Sequence, residues 1–199
     1  MAYPKSLNNL ISSFKDLPGV GEKTAERMAL TMLNFEKNKL DSFAKAIINV
    51  KDKIKRCSIC NNLTEDEICD ICSDTSRDEN TICVVEDVKN VMLFEKNGLF
   101  NGKYHVLNGL ISPVDGIDPS DINIQSLLDR VKKENTKEII IAVKPSLEGE
   151  ATALYISKKL EGNNVIVSKI AHGVPMGADM EYIDAMTLET ALFDRKKVS

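Results

Sequence analysis

The sequence predicts an α/β fold in four parts: a helical N-terminal region, a small four-cysteine module, a parallel-sheet domain and a C-terminal tail. Three observations predict it. Apolar residues recur at helical spacing up to Ile54. Four cysteines in two CxxC pairs lie between residues 57 and 72. From Thr81 onward, short runs rich in β-branched residues alternate with helical patterns. The expected boundaries are 1–56, 57–80, 81–170 and 171–199.

Each element follows from its spacing. Leu7, Leu10, Ile11 and Phe14 form one helical stripe, which Pro18 and Gly19 interrupt. A second stripe runs through Ala25, Met28, Ala29, Met32 and Leu33. A third covers Phe43, Ala44, Ile47, Ile48 and Ile54, with Asp41 as the expected N-cap. Helices this short must pack on one another to be stable. The apolar runs Ile82–Val85, Tyr104–Leu107, Ile139–Val143 and Val165–Ile170 suit strands buried on both faces, as in a parallel sheet. Helical patterns fill the gaps at Val88–Lys96, Ile124–Lys133 and Ala151–Leu160. Ser112–Ser120, with Pro113, Gly116 and Pro119, reads as a long loop. The tail Met186–Lys197 is either an oligomer-forming arm or a capping helix.

Composition narrows the classes. The 199 residues are 43% apolar and 28% charged, ordinary for a folded domain. No run approaches the ~18 apolar residues of a membrane span, and Met1–Leu10 lacks the apolar core of a signal peptide. A cytoplasmic protein without membrane contact is expected. The net charge of −4 hides a division. Residues 1–56 carry 11 basic and 6 acidic side chains, a net of +5. Residues 57–80 carry 1 and 7, a net of −6, and residues 81–199 carry 14 and 17, a net of −3. A basic, phosphate-facing end beside an acidic body is the pattern to test.

Cys57-x2-Cys60-x8-Cys69-x2-Cys72 is the strongest chemical signal. Each CxxC places two thiolates on one metal, and two pairs complete a tetrahedron. Sulfur-only ligation suits zinc, with iron as the alternative, and a closed four-ligand shell leaves no position for substrate. The site is therefore expected to be structural, supplying folding free energy to an acidic, hydrophobe-poor stretch. A redox pair would need one CxxC, and disulfides do not suit a cytosolic chain. Cys83, inside an apolar run, reads as a small buried hydrophobe.

Leu17-Pro18-Gly19-Val20-Gly21 joins the first two helical stripes. Gly19 and Gly21 let the backbone turn tightly and approach a ligand without a Cβ in the way. The N–H groups opening the next helix are natural phosphate donors. Lys23 and Arg27, four residues apart, project from one face of that helix. Amides plus two cations make a sequence-independent phosphate grip. An ordinary helical hairpin with a glycine turn is the bland alternative. As a unit, the pattern resembles the helix-hairpin-helix motif of DNA-binding proteins.

Glu86 ends the first run, and Glu148 and Glu150 follow the third. In a parallel sheet these ends share one edge, so the acids can converge if the two strands adjoin. The layout resembles a Toprim domain, with Glu148-Gly149-Glu150 in place of the usual Asp-x-Asp. Such acids hold Mg²⁺ for phosphoryl chemistry, stabilise a helix N-terminus, or dock a partner. The non-catalytic roles are favoured, because about 120 residues leave little room for a nucleophile-bearing or template-binding module. His105 and His172 make no convincing catalytic pair.

In its order of hairpin, four-cysteine site, Toprim and tail, the chain resembles the RecR family of bacterial recombination mediators. The most specific stretches are Leu17–Ala29, Cys57–Cys72, Ile82–Glu86, Glu148–Thr152 and Ala171–Pro175. The family itself shows the Glu-x-Glu departure. At Met176-Gly177-Ala178, family members often carry a second glycine. The resemblance implies a nucleoid-associated protein of recombinational repair that works with RecO and RecF to load RecA onto DNA coated by single-strand-binding protein. It implies a homotetrameric ring that binds single- and double-stranded DNA without sequence preference. Carried to this chain, Lys23 and Arg27 face the hole, and Cys57, Cys60, Cys69 and Cys72 hold one zinc. Glu86, Glu148 and Glu150 then mark an edge where RecO docks.

The leading expectation is thus a non-enzymatic DNA clamp and adaptor. The alternative is a Mg²⁺-dependent Toprim nuclease or nucleotidyl transferase using the three glutamates, and a second rival is a zinc-stabilised scaffold that touches no DNA. No glycine-rich phosphate loop follows the first strand, which disfavours a small-molecule site there.

Overall fold

The structure, a computed structural model, describes residues 3–195 and Lys197, so Lys196 of the expected arm lies outside the described residues. Two compact units divide the chain between Ile54 and Lys55.

The first unit holds α1 (Lys5–Lys15), α2 (Glu22–Met32) and α3 (Lys37–Lys53). Leu7 and Ile11 of α1 pack on Ala25 and Ala29 of α2, with Leu10, Phe14 and Val20 around them. Alanine on the inner face of α2 lets the two helices approach closely. The expected stripe on α2 is therefore narrower than its spacing implied, and Met28 and Leu33 stay exposed. α3 begins four residues before the expected cap. Asp41 lies inside it, and Glu36 stands at the N-cap without a side-chain bond. No residue of α3 is buried, although Phe43, Ile47, Ile48 and Val50 are apolar.

The second unit opens on a small antiparallel pair, β1 (Lys55–Arg56) with β2 (Leu63–Thr64), followed by the short α4 (Asp70–Ser73). A four-stranded sheet follows: β3 (Asp78–Val85), β4 (Gly102–Val106), β5 (Glu138–Ala142) and β6 (Ile166–Lys169), in the order β4-β3-β5-β6. Every pairing is parallel. Helices α5 (Val88–Lys96), α6 (Ile124–Glu134) and α7 (Leu147–Leu160) connect the strands. Successive side chains of β3 go to opposite faces. Ile82 and Val84 join a core with Leu127, Val131, Ile156 and Leu160 of α6 and α7. Cys83 and Val85 join one with Val91 of α5, Tyr104, Val106 and Ala142. Burial on both faces is why the strands read as continuous apolar runs.

Two elements of this unit start four residues earlier than expected. β3 starts at Asp78. α7 starts at Leu147, not Ala151, so Glu148, Gly149 and Glu150 form its first turn and not a loop. Ser146 caps that turn, its hydroxyl accepting from the Gly149 N–H at 3.2 Å. A Cβ at Gly149 would sit 2.1 Å from the Lys144 carbonyl oxygen, so only glycine lets the turn lie this close to the preceding backbone. The chain ends in a 3-10 turn (Met180–Tyr182) and α8 (Ala185–Phe193), which has no buried residue. Among the described residues, no helix is long and apolar enough to cross a membrane.

Candidate metal centre and nucleic-acid interface

The two CxxC pairs reach one point by different local geometries. After Cys57 the chain doubles back through Asn61, whose φ of +60° lets its N–H return to the Cys57 carbonyl at 3.0 Å. Cys69 stands at the N-cap of α4, and the Cys72 N–H closes the turn on the Cys69 carbonyl at 3.0 Å. The four sulfurs lie within 4.8 Å of one another, with Cys60 and Cys69 3.5 Å apart. A tetrahedral zinc with bonds of about 2.3 Å needs sulfurs about 3.8 Å apart, so the donor set fits zinc in both number and spacing. The Cys69 N–H donates to the Cys57 sulfur at 3.3 Å, tying the two pairs together.

Four thiolates do not share this space uncompensated. Hydrogen bonds with Cys69 and then Cys72 push the Cys60 thiol far up, and the bond with Cys60 first brings Cys69 down to about 2. A dication at the centre resolves that conflict by charge. Cys83 takes no part: it is buried in the sheet, and burial raises its thiol to about 12.

The cysteine module is joined to the sheet. The Val106 N–H donates to the Cys60 carbonyl at 2.8 Å, and Arg56 donates to the Asn108 side chain at 2.9 Å. Arg77 pairs with Glu95, and Tyr104 donates to the same carboxylate at 2.8 Å. Buried Arg130 donates to the Tyr104 carbonyl at 2.7 Å and pairs with Glu134. Lys103 reaches into the second knuckle. Sequence reasoning missed these cations, because a basic residue in a strand or helix carries no mark of burial.

In the N-terminal unit, the Val20 N–H returns to the Leu17 carbonyl at 3.1 Å, and Gly19 has a φ of +80°. Pro at the second and glycine at the third position suit a type II turn. Gly21 is the N-cap of α2 and makes no side-chain capping bond. A Cβ at Gly21 would meet nothing within 4 Å, so nothing in the chain's own packing demands glycine there. Among the described residues, the N–H groups of Gly21, Glu22 and Lys23 have no protein acceptor. Lys23 and Arg27 are exposed on α2, and neither forms an ion pair among the described residues. Glu22 is instead paired across the hairpin with Lys15.

At the sheet edge, β3 and β5 adjoin as convergence of the glutamates required. Glu86, Glu148 and Glu150 nevertheless form no metal-ligating group among the described residues. Glu86 lies 3.7 Å from the Lys144 ammonium, and Glu150 takes Lys169 at 2.9 Å. The Ser146 hydroxyl beside Glu148 holds its carboxyl below the usual range. His105 is fully buried, its Nε2 donating to the Asn123 carbonyl at 2.9 Å. Burial lowers its pKa to about 4, so the ring is neutral.

Comparison with known proteins covers the same parts. Residues 7–51 match the RecR helix-hairpin-helix family, 54–74 the RecR four-cysteine zinc finger domain, 80–171 the Toprim domain and 173–196 the RecR C-terminal family. The zinc-finger match and the four clustered sulfurs together assign a structural zinc. The chain is 46% identical over 196 residues to the recombination protein RecR of Natranaerobius thermophilus, covering 98% of each chain. With the hairpin, the four-cysteine cluster, the parallel sheet and this likeness running across its length, the chain belongs to the RecR family of recombination proteins.

Proposed function

We propose that this protein is a non-enzymatic DNA clamp and adaptor of recombinational repair. It binds single- and double-stranded DNA through its basic N-terminal part and acts with RecO and RecF to load RecA on DNA coated by single-strand-binding protein. The observation that carries the reading is the start of α2: three N–H groups without acceptors, an open glycine backbone, and Lys23 and Arg27 without carboxylate partners. That set recognises phosphate and reads no base. Gly19, Gly21, Lys23 and Arg27 are the DNA-contacting residues in this reading.

Closure into a homotetramer is supported by two apolar surfaces far apart in sequence. One is the exposed face of α3; the other is α8, where Met186, Leu192 and Phe193 are exposed. Two separate self-contacts suffice to close a ring. A weak grip repeated around a ring holds a polyanion by avidity. Glu86, Glu148 and Glu150 form the edge to which RecO docks, and their pairing with Lys144 and Lys169 supports a role in charge complementarity over Mg²⁺ chemistry.

Light scattering with and without DNA tests the clamp. The expected mass is four 22.1 kDa chains, with DNA bound by the assembly. A monomer that binds DNA at full strength would overturn it. Mg²⁺-dependent turnover of DNA or nucleotide, abolished by Glu86→Ala, would install the Toprim enzyme in its place.

A further inference from the structure

Lys103 is the second residue of β4, and only 4% of it is exposed. Its ammonium spends its three donors on backbone carbonyls: Ile71 at 3.0 Å, Cys72 at 3.2 Å and Asp74 at 2.6 Å. Those carbonyls end α4, a four-residue helix too short to satisfy them internally. Among the described residues, no carboxylate comes within ion-pair distance of Lys103, whereas half-buried Arg77 and buried Arg130 are each paired with a glutamate. The lysine lines the same small cleft as Cys72, Glu79 and Glu134. Asp74, which feels the lysine's charge, and Glu79 and Glu134 of that cleft stand beyond ion-pair distance, and a buried cation without a close ion pair is costly. Four thiolates around one dication would carry two surplus negative charges, a further counter-charge on the Cys72 side of the lysine.

We propose that Lys103 is a positioning residue of the zinc centre: reaching from the parallel sheet, it caps the helix that carries Cys72 and balances the charge of the tetrathiolate. The sheet and the metal site thereby stabilise each other. Hydrogen-bonded partners behind metal ligands commonly set affinity by 10- to 100-fold, about the range expected here.

The test uses the full chain with Lys103→Met, which keeps the length of the side chain and removes its charge. Zinc affinity is read by competition with a chromophoric chelator, and site geometry by the absorption of the cobalt-substituted protein. Affinity is expected to fall about 10- to 100-fold, with part of it regained in Lys103→Arg. Ile156→Val, which disturbs the core packed by α7, is expected to leave affinity native. Unchanged affinity in Lys103→Met, or an equal loss in Ile156→Val, overturns the proposal. Should Lys103→Met fail to fold, amide exchange on the natural chain during chelation decides. Gly102–Val106 is expected to lose protection together with the cysteine module, and β4 amides that stay protected beside a metal-free module overturn the proposal.

Discussion

Leu7, Ile11, Ala25 and Ala29 are the whole buried core described in the first unit, and α3 buries nothing. In the second unit, strands β3 to β5 are covered on both faces, and a metal centre is bonded to the sheet edge. The first unit leaves the apolar face of α3 and the cations Lys23 and Arg27 unspent, while the sheet of the second buries its apolar strands and pairs Arg77 and Arg130. Two alanines and two larger side chains bury little area, and buried apolar area is the main favourable term in folding. The first unit is therefore equipped to gain stability from what it binds, and the second to hold its shape without it. The opposite charge of the two sequence regions follows the same division of work.

Zinc removal is the strongest way to break that contrast. Structural zinc contributes on the order of 10 kcal/mol in small domains, as much as a typical domain's whole stability. Chelation, or Cys60→Ser, is expected to melt the second unit while amides of α1 and α2 keep their exchange protection. Equal loss in both units would erase the distinction.

Acid should act on the same side. Both histidines of the chain lie after residue 100. His105 has a folded pKa of about 4 against 6.5 in the unfolded chain, so between these values the unfolded chain binds a proton that the folded one does not. Stability contributed by the neutral ring is intact above pH 6.5 and is lost as pH falls towards 4, about 3 kcal/mol in all. Melting curves from pH 7 to pH 5 check this, and His105→Gln is expected to flatten the dependence. Against the burial that raises it, Glu95 is held below the usual carboxylate range by Arg77 and Tyr104.

How much of this was legible in the sequence varied with the physical cause. Strand runs were readable because burial on both faces leaves Ile82–Val85 and Ile139–Val143 almost wholly apolar. The cysteine spacing was readable because tetrahedral ligation demands it. The start of α7 was hidden, since it depends on the Ser146 hydroxyl and on the closeness of Gly149 to the Lys144 carbonyl, neither of which has a periodicity. Asp41 resembled a cap, but the helix begins at Lys37, where no side chain caps it. Lys103 was invisible for another reason. A lysine in a strand reads as solvated, and its three carbonyl partners lie about thirty residues earlier in the chain.

The smallest effect on stability should accompany a large effect on function, and it bears on the central claim that the first unit grips phosphate. Lys23→Ala with Arg27→Ala changes two exposed side chains, for which stability shifts are usually within about 0.5 kcal/mol. The measurement is DNA affinity as a function of salt for this double variant beside the natural chain. Weaker binding is expected, with a salt slope shallower by about 2 per engaged protomer on duplex DNA and an unchanged melting temperature. Natural affinity and natural slope in the double variant would contradict the account.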